Sequence, residues 1–175
     1  MISIKDKIFV PYITANAIQQ RVEEIGAEIS KDHKENFPIL IGVLNGSFMF
    51  LSDLVKNISI PIEISFIKVS SYSGTSSTGS VKNILGLEID LKDRTVIIVE
   101  DIIDTGLSMK HLVEMIEKEN PKKIAIVSLL VKPEALLFQI TPDYVGFEIP
   151  NKFVVGYGLD FDGLGRNLSE LYQLK

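Results

Sequence analysis

Three short runs of almost unbroken apolar residues, at 38–44, 95–99 and 124–130, set the strongest constraint on how this chain can fold. Each falls far short of the roughly 20 residues of a membrane span, and none shows the strict polar alternation of a strand with one wet face. They fit strands covered on both faces, as in a parallel sheet between layers of helices. Segments of helical periodicity lie between them. Thr14 can cap a helix whose Ile18, Val22, Ile25 and Ile29 fall on one side. Residues 48–55 read as a second helix, and positions 109, 112, 113 and 116 mark a third that stops before Pro121. Strand candidates at 62–67, 81–85, 144–149 and 153–159 complete the series, and a polar tail closes the chain. The expectation is an α/β protein, one domain over residues 1–175, with a central, mostly parallel sheet flanked by helices. Such sheets bind ligands beyond the carboxyl ends of their strands, which directs attention to the residues after Leu44, Val99, Leu130 and Leu159.

Composition narrows the class. A net charge of −5 argues against a nucleic-acid binder, which would present a basic face. It leaves room for small phosphorylated substrates held by backbone amides and a divalent cation. Cysteine is absent, which excludes disulfides and thiolate metal sites. With no apolar stretch resembling a signal peptide near Met1, the expectation is a cytoplasmic protein without membrane partners.

Residues 95–108 carry the most chemistry. An apolar strand delivers Glu100 and Asp101 to its end, and a short loop with Asp104, Thr105, Gly106 and Ser108 then opens a helix. Amides of such a loop and of the first helical turn form an anion nest suited to phosphate. Gly106 lets the backbone approach it, and Thr105 and Ser108 add hydroxyl donors. The two adjacent acids would repel that phosphate, so they should address hydroxyls or a metal beside it. A sugar 5′-phosphate with its diol on the carboxylates satisfies both demands. Asp104-Thr105-Gly106 alone would signal only the start of a helix; the acids, strand and helix in register reverse that reading.

Val99-Glu100-Asp101-Ile102-Ile103-Asp104-Thr105-Gly106 resembles the phosphoribosyl pyrophosphate signature of purine phosphoribosyltransferases, close to the hypoxanthine–guanine form. The similarity continues through residues 128–132, 145–150, 152–157 and 159–160, and spans about 39–166. It implies the type I phosphoribosyltransferase fold, with a small hood from terminal segments, including about 145–175, and a flexible lid at about 70–80. The implied reaction moves a 5-phosphoribosyl group from phosphoribosyl pyrophosphate to hypoxanthine or guanine, giving IMP or GMP and pyrophosphate in purine salvage. The implied cofactor is Mg²⁺, and the implied assembly a homodimer or homotetramer.

By that resemblance Glu100 and Asp101 hold the ribose hydroxyls and Mg²⁺, and Asp104 is the general base. Asp104, Thr105, Gly106, Leu107 and Ser108 wrap the 5′-phosphate. Lys132 donates to the purine 6-oxo group; a 6-amino base would face it with a second donor. Phe153 stacks on the base, Val154 reads its edge through the backbone, and Asp160 lies near a second Mg²⁺ and the purine two-position. Asn45, Gly46, Ser47 and Arg166 match pyrophosphate-binding positions, the first three in a loop that often contains a non-proline cis peptide. Many members carry Lys or Arg where this chain has Asn45, so a charge is missing there. Ser71 and Tyr72 match the lid.

Other readings have less behind them. Residues 74–81 echo a P-loop without its Lys-Ser/Thr end, and 160–163 are too poor in oxygen ligands for an EF-hand. No Gly-x-Gly-x-x-Gly follows a strand, against a dehydrogenase. A xanthine-preferring transferase stays open, since Lys132 accepts any 6-oxopurine; against a nucleotide-sensing regulator without turnover stand the acidic net charge and the presence of Asp104, Lys132 and Asp160. His33, in a charged linker, and His111, on the polar side of its helix, read as surface residues.

Overall fold

The computed structural model describes residues 1–70, 82–85 and 89–175. Its main sheet has the order β5-β4-β3-β6-β7-β8, formed by β3 (Ile39–Leu44), β4 (Glu63–Ser70), β5 (Lys82–Leu85), β6 (Thr95–Ile103), β7 (Lys123–Val131) and β8 (Tyr144–Glu148). All neighbours run parallel except β5, an antiparallel edge strand on β4. Three helices, α1 (Ala15–Asp32), α2 (Phe48–Lys56) and α3 (Leu107–Glu117), cover the two faces.

The unbroken apolar runs have a direct cause. Side chains alternate across a strand; Ile97 and Val99 of β6 pack with α1 and α2, while Val96 and Ile98 pack with α3. Both faces are dry, so both parities must be apolar. The Thr14 side chain accepts from the Ala17 amide at 3.3 Å and starts α1, and Ile18, Val22, Ile25 and Ile29 are fully buried beneath it. Among the described residues no helix is long and apolar enough to cross a membrane.

Four expectations need correction. β6 continues to Ile103, so Glu100 and Asp101 lie within the strand, with Glu100 opposite Ser128, rather than past its end. The expected strand at 153–159 shrinks to β9 (Val154–Val155), because Gly156, Tyr157 and Gly158 all take positive φ and turn the chain. The chain closes on β10 (Leu171–Leu174) instead of a polar tail. That strand joins β9 to β2 (Lys7–Ile13), and β1 (Ile2–Ile4) completes an antiparallel hood sheet, β1-β2-β10-β9. His33 is buried at 1% exposure, with Nε2 3.3 Å from the Tyr144 hydroxyl. It caps α1 by donating its backbone N–H to the Ile29 carbonyl. His111 is half-buried.

Candidate active site

Parallel order places three strand ends side by side, and the expected site residues follow them. Asn45, Gly46 and Ser47 come after β3, Asp104 to Ser108 after β6, and Lys132 after β7. The Leu44–Asn45 peptide is cis. Lys132 donates its backbone N–H to the Ile103 carbonyl at 3.0 Å, which ties the end of β7 to the end of β6. Its side chain is buried at 6% exposure, and Nζ lies 2.6 Å from Asp104 Oδ2 and 3.5 Å from Asn151 Oδ1. A lysine on an open surface would not be held this way; here the ammonium is aimed into a cleft.

Two recesses meet at that ion pair. One, of about 220 Å³, is lined by Asp101, Asp104, Lys132, Phe153, Val154 and Asp160, among others. The other, of about 100 Å³, is formed by Glu100, Asp104, Thr105, Gly106 and Ser108 with neighbouring apolar side chains. Ile102 and Asp104 line both. The smaller recess is where the sequence reading expects an anion, at the turn from strand to helix. Gly106, at φ 82°, turns β6 into α3, and Lys110 donates its N–H back to the Gly106 carbonyl at 2.9 Å. Thr105, Leu107 and Ser108 are exposed around its rim. Two wider grooves, about 420 and 340 Å³, lie around the amino ends of β6 and β7. Neither combines an acid pair with a helix start, so size alone does not locate the chemistry.

Electrostatics mark the acid pair. Burial, and then the charge of Asp101, hold the Glu100 carboxyl well above the usual carboxylate range. Each carboxylate also turns to backbone: Glu100 Oε1 accepts from the Asp101 N–H at 3.1 Å, and Asp101 Oδ1 from the Ile102 N–H at 3.0 Å. A sugar hydroxyl or a cation would relieve their repulsion. Two hard carboxylates fit Mg²⁺, which takes one or two protein ligands beside substrate phosphates and water. Among the described residues no three His, Asp or Glu side chains cluster as a metal cage, and Asp160 lines the same recess as Asp101.

The remaining positions are distributed unevenly. Phe153 is 46% exposed, and its ring meets Phe161 edge-on at 5.9 Å and Phe9 at 6.3 Å. Val154 is buried in β9 opposite Gln173. Asp160 accepts from Arg166 Nη2 at 2.5 Å and from the Gly163 N–H at 2.6 Å. Arg166 also donates from Nη1 to the Gly158 carbonyl at 2.6 Å, so it braces the cleft wall. Asn45 is exposed, whereas Ser47 is buried and gives both its amide and its hydroxyl to the Val43 carbonyl. Ser71 and Tyr72 lie outside the described residues. Sequence reasoning missed Asn151 and Phe161. Asn151 stands two residues before Phe153, a spacing that could have drawn notice; Phe161 reaches Phe153 only through the hood turn.

Comparison with known proteins agrees with this layout. The model of the phosphoribosyl transferase domain matches residues 12–162. A hypoxanthine-guanine phosphoribosyltransferase of Bacillus subtilis is 44% identical over 164 residues, covering 93% of this chain and 91% of the relative. One from Dictyostelium discoideum is 40% identical over 167 residues, 93% of each chain. The crystal structure of a Staphylococcus aureus hypoxanthine phosphoribosyltransferase superposes with a TM-score of 0.90 at 39% identity, covering 100% of this chain and 98% of that one. With the fold, the strand-end site and these likenesses in agreement, the chain belongs to the phosphoribosyltransferase family, in its hypoxanthine–guanine branch.

Proposed function

We propose that this protein transfers the 5-phosphoribosyl group of phosphoribosyl pyrophosphate to hypoxanthine or guanine, forming IMP or GMP and pyrophosphate. The observation that carries this reading is the Lys132 ammonium beside Asp104, at the junction of the anion cup and the aromatic-edged recess. A purine there would meet a donor for its 6-oxo oxygen and an acceptor for a ring N–H within one hydrogen-bonded pair. The amides and hydroxyls of residues 104–108 would hold the 5′-phosphate and place the anomeric carbon beside the base. Glu100 and Asp101 would take the ribose hydroxyls and favour the positive charge that develops on the sugar. Asp104 would accept or orient the purine proton as the nitrogen attacks. Lys132 ties up Asp104 in the free protein, and the incoming base would exchange that contact for its own. Phe153 offers an apolar face for the ring, and the Val154 backbone an edge to read. Bound to the acid pair, Mg²⁺ would supply charge neutralisation for the pyrophosphate leaving group.

The same reading makes the protein cytoplasmic and a homodimer or homotetramer. The test is to mix it with phosphoribosyl pyrophosphate, Mg²⁺ and a panel of bases, then separate nucleotides by chromatography. Hypoxanthine and guanine should give IMP and GMP with equimolar pyrophosphate, and adenine should give nothing. Faster turnover of xanthine would reassign the substrate. Binding without pyrophosphate release would point to a regulator instead.

A further inference from the structure

Tyr157 is a buried titratable residue that the proposed reaction does not use. Its side chain is 1% exposed, yet its backbone sits at φ 46° between Gly156 at 101° and Gly158 at 102°. Bulky residues rarely adopt that conformation, and surrounding contacts must hold it. The contacts are specific. The Tyr157 hydroxyl donates to Asp53 Oδ2 at 2.7 Å, and the same oxygen accepts from Gln19 Nε2 at 2.9 Å. Lys56 Nζ lies 2.5 Å from the other carboxylate oxygen. Burial works to raise the Asp53 pKa, but hydrogen bonds from Lys56, Tyr157 and Gln19 hold it below the ordinary value. Burial, then Asp53, pushes the Tyr157 hydroxyl up, so it stays a neutral donor to a charged acceptor.

Asp53 belongs to α2, the helix that begins directly after the 45–47 loop. One residue beyond Tyr157, the Gly158 backbone abuts the Gly46 carbonyl so closely that a side-chain carbon at 158 would collide with it. On its other side, Gly46 has the Asp101 carboxylate where its own Cβ would stand. Gly158 also accepts from Arg166 Nη1, and its amide donates to the Arg166 carbonyl at 3.0 Å. The hood turn therefore grips α2 at two points, the loop before it and Asp53. Asp53 lies six residues beyond the N-cap Ser47, about 9 Å further along the helix axis. One contact would leave a pivot; two fix distance and orientation together.

We infer that the Tyr157–Asp53 pair is a positioning device for the pyrophosphate side of the site. It sets Gly158 against Gly46, and with it Asn45, Asp160 and Arg166, at a fixed distance from the acid pair of β6. This rests on the phosphoribosyl-transfer reading and adds two residues that touch no substrate. The tyrosine ring alone would fill the volume, so the hydroxyl is the part that carries the link to α2.

The test runs the reaction backwards, from IMP and pyrophosphate. An inactive unmodified protein would sink the transfer reading and the inference with it. With activity established, Tyr157→Phe keeps the ring and removes the link. The KM for pyrophosphate should rise about tenfold, the scale of one lost hydrogen bond to a charged group, while the KM for IMP stays within about twofold. Asp53→Ala should behave like Tyr157→Phe, and Asp53→Asn, which keeps an acceptor oxygen, should recover most of the loss. A lower thermal midpoint with an unchanged pyrophosphate KM would overturn the inference, as would equal rises in both KM values. If Tyr157→Phe does not fold, Asp53→Ala leaves Tyr157 in place and carries the same expectation and the same refutation.

Discussion

The anion cup at 104–108 and the hood turn at 153–166 face each other across one cleft, yet the chain builds them by different routes. The cup is local: a buried strand, three loop residues and a helix start supply it from one continuous segment. The hood is assembled from both ends of the chain, with β2 and β9 each paired to β10. Phe9, from β2, touches both Phe153 and Phe161. Backbone geometry set by neighbours in sequence holds the cup. Pairing of β10 with β2, from the opposite end of the chain, and with β9 holds the hood. On the proposed reading, chemistry that needs a fixed charge would sit on the first, and recognition of the base surface would draw on the second.

Variants can break that division. Asp104→Asn should produce the largest effect, a fall in kcat of about 10²–10⁴, the usual scale for a lost general base. Affinity for IMP, measured by calorimetry, should change far less; an unchanged kcat would remove Asp104 from the chemistry. Lys132→Met comes next. It should lower kcat/KM for hypoxanthine by about 10–100-fold, since a charged hydrogen bond to the 6-oxo group is lost. Binding of phosphoribosyl pyrophosphate should persist, and loss of both would mean that Lys132 holds the cup together instead. On the hood side, Phe161→Leu removes the edge contact on Phe153 and should raise the KM for the base about three- to tenfold without altering kcat. A matching drop in kcat would show that the two regions are not separable.

The smallest expected effect lies in neither region. Burial, and then Lys123, lower the His33 pKa from 6.5, against the pull of Asp32 and Asp143. The folded protein takes up a proton at His33 at lower pH than the unfolded chain, whose imidazole titrates near pH 6.5. The associated stability is complete above that pH and declines as pH falls below it. The thermal midpoint of His33→Gln should therefore drop less between pH 7 and pH 5 than that of the unmodified protein; parallel curves would show that His33 does not contribute.

What could be read in the sequence follows the same boundary. Apolar strands at 39–44, 95–99 and 124–130, the cap at Thr14 and the 99–108 segment depend on near neighbours, and each is present in the structure. The hood strands β1, β2 and β10 were not visible, because their apolar residues alternate weakly and acquire meaning only when the two ends of the chain meet. The burial of His33 escaped for a related reason: its partner Tyr144 is 111 residues away. Lys132 was placed by resemblance, and its ion pair with Asp104 emerged only from the pairing of β6 with β7.

A crystal structure with IMP bound tests most directly whether one strand-end cleft serves sugar, phosphate and base together. The phosphate should sit on the amides of 104–108, with the 6-oxo oxygen about 3 Å from Lys132 Nζ and the ring against Phe153. A phosphate bound outside the 104–108 loop, or a base turned away from Lys132, would contradict the account.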